Sequence, residues 1–192
     1  MRGSMLMSLL VAASLVACGG GTEEDGTMET DSMAMEADTV PAAGALSTPS
    51  WMTYDATAMT ASMEISAGES DVNNRWNFNG LYAGMGKIVV PQGTTVTINF
   101  TNADPAQPHS LGIDEWEATW PAVFEAPEPV FAGAITPDAA TSGTAPSGTA
   151  SITFTADAAG DYAMVCYIAG HAVAGMVVPF TVSADGTVGV QQ

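Results

Sequence analysis

Residues 165–177 read VCYIAGHAVAGMV and place Cys166, His171 five positions on, and Met176 five positions further. Thiolate, imidazole and thioether on one short stretch form a soft donor set that suits copper better than calcium or magnesium. A copper ion held for electron exchange takes two histidines and one cysteine in a trigonal plane, with a weak, long axial methionine. The chain has two histidines in all, and the second is His109 in QPHSLGI. One site therefore accounts for both. The plainer reading is that a single His or Cys in a β-rich domain packs or faces solvent, since Cys-x4-His alone is a weak pattern. Met176 has its own plain reading, because methionine also fills gaps in cores and the chain holds 12.

The elements that must position these residues read as strands. Apolar residues fall at every second position in Thr95-Val96-Thr97-Ile98-Asn99-Phe100, just before the His109 loop. The same pattern recurs at residues 61–65, 87–90, 151–154 and 177–182, separated by Gly, Pro, Asn and Asp. No long segment carries a capped helical stripe. Short strands broken by turn residues predict an all-β antiparallel sandwich or barrel. Pro91-Gln92-Gly93 marks a turn, and Asn102-Ala103-Asp104-Pro105 leads from a strand into the His109 loop. Tyr162 and Met164 share a face by alternation and are expected to point inward, and their strand delivers Cys166 at its end. Gly170 and Gly175 each precede a donor and permit the tight backbone path a compact loop needs.

Upstream, residues 1–17 read MRGSMLMSLLVAASLVA, with one positive charge and a short apolar core. This is expected to be a secretory signal, too short to span a bilayer. The ending Leu15-Val16-Ala17-Cys18 looks like a bacterial lipobox, in which Cys18 is lipidated and anchors the chain. An ordinary signal cut nearby, or a disulfide between Cys18 and Cys166, is the alternative; the disulfide would consume the thiolate a metal needs. With Cys18 as the anchor, Cys166 is the sole thiol of an exported protein, which calls for an explanation that a metal supplies. Residues 18–50 lack aromatic residues and apolar periodicity, and are read as a flexible acidic tether. Met28, Met33 and Met35 within it are thioethers that could capture Cu(I), or incidental members of the tether. The globular domain is expected over 51–192.

Three segments together resemble the cupredoxins, the small blue copper proteins, and within them the sulfocyanins. They are NFNGLYAGMGKIVVPQGTTVTINFTN (77–102), PHSL (108–111) and GDYAMVCYIAGHAVAGMVV (160–178). The match spans about residues 51–184. The resemblance implies a Greek-key β-sandwich or barrel holding one type 1 copper. It implies His109, Cys166 and His171 as equatorial ligands and Met176 as the axial one. It also makes Ser110, beside the first ligand, a candidate for tying the two ligand loops together by hydrogen bonds; the alternative is a surface serine. Residues 114–146 read as a long insertion after the first His ligand, rich in Trp, Phe, Pro and Glu. Such a loop is uncommon and often functional: it either packs over the barrel or forms a docking surface.

The charge bears on partners. There are 21 acidic residues against 3 basic, a net charge of -18. Such a chain is not expected to bind nucleic acid, and anionic lipid repels it, so membrane attachment falls to the lipid anchor. The charge favours a redox protein with a basic docking face, such as a cytochrome or terminal oxidase, or else serves solubility, acid tolerance or salt tolerance. A monomer is expected, lipid-anchored to a bacterial membrane and facing the periplasm or cell exterior. No spare histidines remain for a catalytic copper, and no nucleotide or Ser-His-Asp pattern is present, so an enzyme is not expected. The leading function is single-electron shuttling between respiratory partners. A lipoprotein that buffers or delivers copper without redox turnover, and a metal-free β-sandwich, stay open beside it.

Overall fold

The computed structural model describes residues 45–192. They form β1 (Met52–Asp55), β2 (Thr60–Ala67), β3 (Lys87–Pro91), β4 (Thr94–Asn102), β5 (Gly112–Glu115), β6 (Thr149–Ala156), β7 (Gly160–Val165), β8 (Val177–Ser183) and β9 (Gly189–Gln191). A four-stranded sheet runs in the order β1-β2-β4-β6, and a five-stranded sheet in the order β5-β7-β8-β3-β9. The all-β class and the expected strands are present. Both sheets are mixed, however: β2 pairs parallel with β4, and β3 parallel with β8. The antiparallel expectation fails there because the Pro91-Gln92-Gly93 turn makes no hairpin. It carries the chain from one sheet to the other, so sequence neighbours β3 and β4 never pair.

Alternation decides which side chains meet. In β4, Val96, Ile98 and Phe100 are buried, and in β2 so are Ala61, Met63, Ile65 and Ala67; their inward faces join Ile88, Val90, Met164, Val178 and Phe180 in one core. Tyr162 and Met164 point into this core, as the period-two pattern of β7 requires. The opposite face of β7 is buried too: Ala163 and Val165 join Tyr167, Ala172 and Val177 in a second cluster. A strand covered on both faces is held from both sides, and β7 is the one that leads directly into Cys166.

The second cover comes from residues 116–148, the crossover from β5 to β6 between the two sheets. Asp114 and Glu115 belong to β5, so the strandless stretch starts later than the sequence suggested. Trp120 and Phe124 pack on the second cluster. Phe131 enters the main core, stacked on Phe154 at 5.6 Å between ring centroids; burying one such ring is worth roughly 1.5–3 kcal/mol. Residues 130–144 then run back along 109–113, with Val130 N–H donating to Ile113 O, Ile113 N–H to Ala134 O and Thr136 N–H to Leu111 O. At the other end, Ser47 exchanges both backbone hydrogen bonds with Val190, so ordered pairing begins ahead of Trp51.

Candidate metal centre

His109, Cys166 and His171 converge. One ligand atom from each lies within 4.8 Å of the others, and all three residues are buried. The Cys166 Sγ is 4.0 Å from His109 Nδ1 and 3.5 Å from His171 Nδ1. Two loops and one strand end bring this about across 62 positions of sequence, from His109 to His171.

His109 is fixed first by its backbone, which exchanges hydrogen bonds with Thr144 (N–H to O, 3.1 Å; Thr144 N–H to His109 O, 2.7 Å). Its ring is fixed by Asp104, whose Oδ2 lies 3.2 Å from Nε2. An ionised carboxylate only accepts, so Nε2 carries the proton and Nδ1 presents a lone pair toward Cys166. Asp104 is itself held: Oδ1 accepts the N–H groups of Ala106 (2.8 Å) and Gln107 (3.0 Å), and its own N–H donates to Asn102 Oδ1. Buried Asn102 closes the loop by donating to the carbonyls of Gln107 and Thr144.

Ser110 links the two ligand loops. Its N–H lies 3.4 Å and its Oγ 3.7 Å from Cys166 Sγ, and Oγ accepts the Tyr167 N–H at 2.9 Å. Between Cys166 and Met176 the loop folds on itself: Cys166 N–H donates to Met176 O, and Met176 N–H to His171 O. Met176 is fully buried. Gly175 adopts φ +99 with Ala83 3.3 Å from where a Cβ would lie, so the loop's turn takes glycine and little else. Trp76 stacks on the His171 ring. Asn73, which donates to both Trp76 O (2.8 Å) and Ala174 O (3.1 Å), ties that tryptophan to the ligand loop.

The sulfocyanin (SoxE) domain family matches residues 47–191. The chain belongs to the sulfocyanin family. Sulfocyanin from Sulfolobus acidocaldarius is 31% identical over 130 residues, 64% of this chain and 63% of that protein; the chain thus matches less than two thirds of the length of this curated relative. Among solved structures, reduced auracyanin from Roseiflexus castenholzii is 27% identical, covering 64% of this chain and 96% of that one with a TM-score of 0.45. Auracyanin A, a "blue" copper protein from Chloroflexus aurantiacus, is 21% identical, covering 65% and 99% with a TM-score of 0.46.

The donor chemistry of this sulfocyanin domain fits one type 1 copper. Burial pushes His171 down to about 4, helped by the neighbouring His109 ring and opposed by Asp104. Burial likewise lowers His109, against the opposing pull of Asp104. Both imidazoles are therefore neutral near pH 7, with lone pairs to give. Burial raises the Cys166 thiol, while hydrogen bonds from Ser110 and Ile168 pull it back. A metal ion must displace that proton on binding, and the Ser110 N–H already points at the sulfur that would take up the charge.

Two residues that the sulfocyanin domain uses around its ligands escaped sequence reasoning. Asp104 stood in a stretch legible only as a turn, which it also builds; its approach to His109 depends on how that loop closes. Trp76 lies 95 positions before His171, and nothing in its type marks it as a partner for an imidazole. Cys18, the signal and the tether up to residue 44, with Met28, Met33 and Met35, lie outside the described residues; residues 45–50, read as the end of the tether, are described, and Ser47 among them pairs with Val190.

Proposed function

We propose that this sulfocyanin domain is a blue copper electron carrier that passes single electrons between respiratory redox partners, anchored to a bacterial membrane by lipid on Cys18 and facing the periplasm or cell exterior. The observation that carries the reading is the convergence of His109 Nδ1, Cys166 Sγ and His171 Nδ1 within 4.8 Å. Met176, buried at the end of the same loop, would supply a fourth, thioether donor. When bound, copper supplies the one-electron couple; the protein's residues hold the ligands and exclude water. Because backbone hydrogen bonds clamp both ends of the ligand loop, the donors need little movement when the charge changes, and low reorganisation favours fast exchange.

The charge supports a basic partner. A groove beside the ligand loop is lined by Ala83, Trp116, Glu117, Trp120, Val173 and Gly175. Trp116 is 45% and Val173 55% exposed, so apolar surface is available within two residues of His171, next to a carboxylate that draws cations. A cytochrome or oxidase subunit with a lysine-ringed face fits this surface, with the chain acting as a monomer.

The test is a visible absorption spectrum of the full chain after copper loading and oxidation, beside Cys166→Ser. An intense thiolate-to-copper band that bleaches on reduction and is missing in the variant is expected. Stoichiometric copper without the band points instead to a copper carrier, and no copper uptake by the folded protein overturns the proposal.

A further inference from the structure

Asp104 is 2% exposed, yet no lysine or arginine among the described residues forms an ion pair with it. Its charge meets only the backbone N–H groups of Ala106 and Gln107 and the Nε2 of His109. A buried carboxylate without a cation is costly unless something else compensates it. The compensation is geometric: Oδ1 accepts both backbone N–H groups and Oδ2 faces the ring nitrogen of His109, an all-acceptor role that an ionised carboxylate fills. Its one side-chain partner is a ring that faces Cys166 with the opposite nitrogen.

We infer that Asp104 is a positioning residue for the copper site: it locks the His109 tautomer and biases the centre toward the oxidised state. The inference rests on the copper reading above. A carboxylate on the far nitrogen of a ligating imidazole orients the ring and increases its basicity. It also adds a negative charge to the one on the Cys166 thiolate. Against Cu(I) the two carboxylate and thiolate charges leave a net single negative charge in a buried site, and against Cu(II) they are balanced. The balanced state is the less costly to bury, so the carboxylate lowers the reduction potential. The gain and loss of one electron is otherwise unchanged, with any outer-sphere one-electron oxidant as acceptor.

Other residues hold Asp104 in place without sharing this role. A Cβ on Gly68, at φ +70, would sit 2.8 Å from Asp104 Cβ, so the Gly68 backbone packs directly against it. Asn102 sets the loop through the Asp104 N–H. These contacts are to backbone and Cβ, whereas the Oδ2 contact to His109 is to the ligand itself.

The test compares the copper-loaded full chain with Asp104→Asn, which keeps the size and the hydrogen-bond acceptor but removes the charge. Retention of the visible band, a reduction potential shifted upward, and a Cu(II) affinity lower by about 10–100-fold with Cu(I) affinity affected less are expected. Nitrogen-15 NMR of the Cu(I) form reads the His109 tautomer directly and is expected to show Nε2–H in the natural chain. If Asp104→Asn does not fold, Asp104→Ser preserves an acceptor for the turn and carries the same expectation. An intact band with an unmoved or lowered potential overturns the inference, leaving Asp104 as a turn former only. Absence of the band from the natural chain overturns the copper reading instead.

Discussion

Trp76 lies nearly flat on His171, with ring centroids 4.7 Å apart and planes 22° from parallel. The stack covers a ligand whose ring also lies 4.9 Å from that of His109, and His171 is only 3% exposed. Three successive residues before Trp76, Asn73, Asn74 and Arg75, have φ of 49, 55 and 69. Non-glycine residues in that region cost about 1 kcal/mol or more each and persist where surrounding contacts overdetermine them. The contacts here are Asn73 to Trp76 O and Ala174 O, and Arg75 Nη1 to Gly68 O at 2.8 Å.

Trp76→Leu is accordingly expected to keep the visible copper band but lose about 1 kcal/mol of aromatic pairing on top of lost burial. A chelator should strip copper faster from this variant, and Trp76→Phe should fall between it and the natural chain. Thermal unfolding and timed copper loss to a chelator measure both effects; equal release rates would show that the stack does not guard the site.

Ser110→Ala removes the acceptor of the buried Tyr167 N–H. Leaving that donor unpaired costs about 1–3 kcal/mol, seen in denaturant unfolding. It also removes the hydroxyl near Cys166 Sγ. A donor to the thiolate favours the reduced centre, where more charge rests on sulfur, so the potential is expected to fall. A potential that stays put would confine Ser110 to a structural role.

Gly175→Ala places a Cβ 3.3 Å from Ala83 Cβ at φ +99, a backbone region costing about 1–2 kcal/mol for an L side chain. The strain falls one residue before Met176. A lowered melting temperature and a perturbed copper EPR spectrum are expected together, whereas a Gly170→Ala control meets open space and should show the backbone strain with less effect on Met176.

The metal-free protein should lose stability in acid. His171 is ordinarily protonated below 6.5 but is held to about 4 when folded. Between those values the unfolded chain binds a proton that the folded one refuses, so stability rises with pH across the window and is lost as pH falls through it. The full effect is about 3 kcal/mol, with the lowered His109 acting in the same direction. Urea unfolding of the metal-free chain at pH 4.5 and pH 7.5 measures it; His171→Gln should flatten the difference.

Donor identities and spacing were legible in the chain because they are local. Cys166, His171 and Met176 sit on one loop, and only one other histidine was left to join them. Strands β2, β3, β4, β6, β7 and β8 were legible because alternation of period two is written in consecutive residues. The short strands β1, β5 and β9 were not, having too few residues to show a period. Pairing was decided in three dimensions. That β2 lies parallel to β4, and β3 to β8, depends on where turns carry the chain between sheets. That residues 130–144 return to clamp His109 through Thr144 depends on Phe131 and Phe124 packing against Phe154 and Tyr167, which are distant in sequence. Asp104 and Trp76 belong to the same class. A carboxylate beside a turn and a tryptophan in a polar stretch have ordinary local readings, and only closure of the two loops sets one against His109 and the other against His171. The sequence by itself determined which atoms could bind the metal; the tertiary structure alone decided which charge and which ring surround them, because those contacts join residues that no local pattern relates.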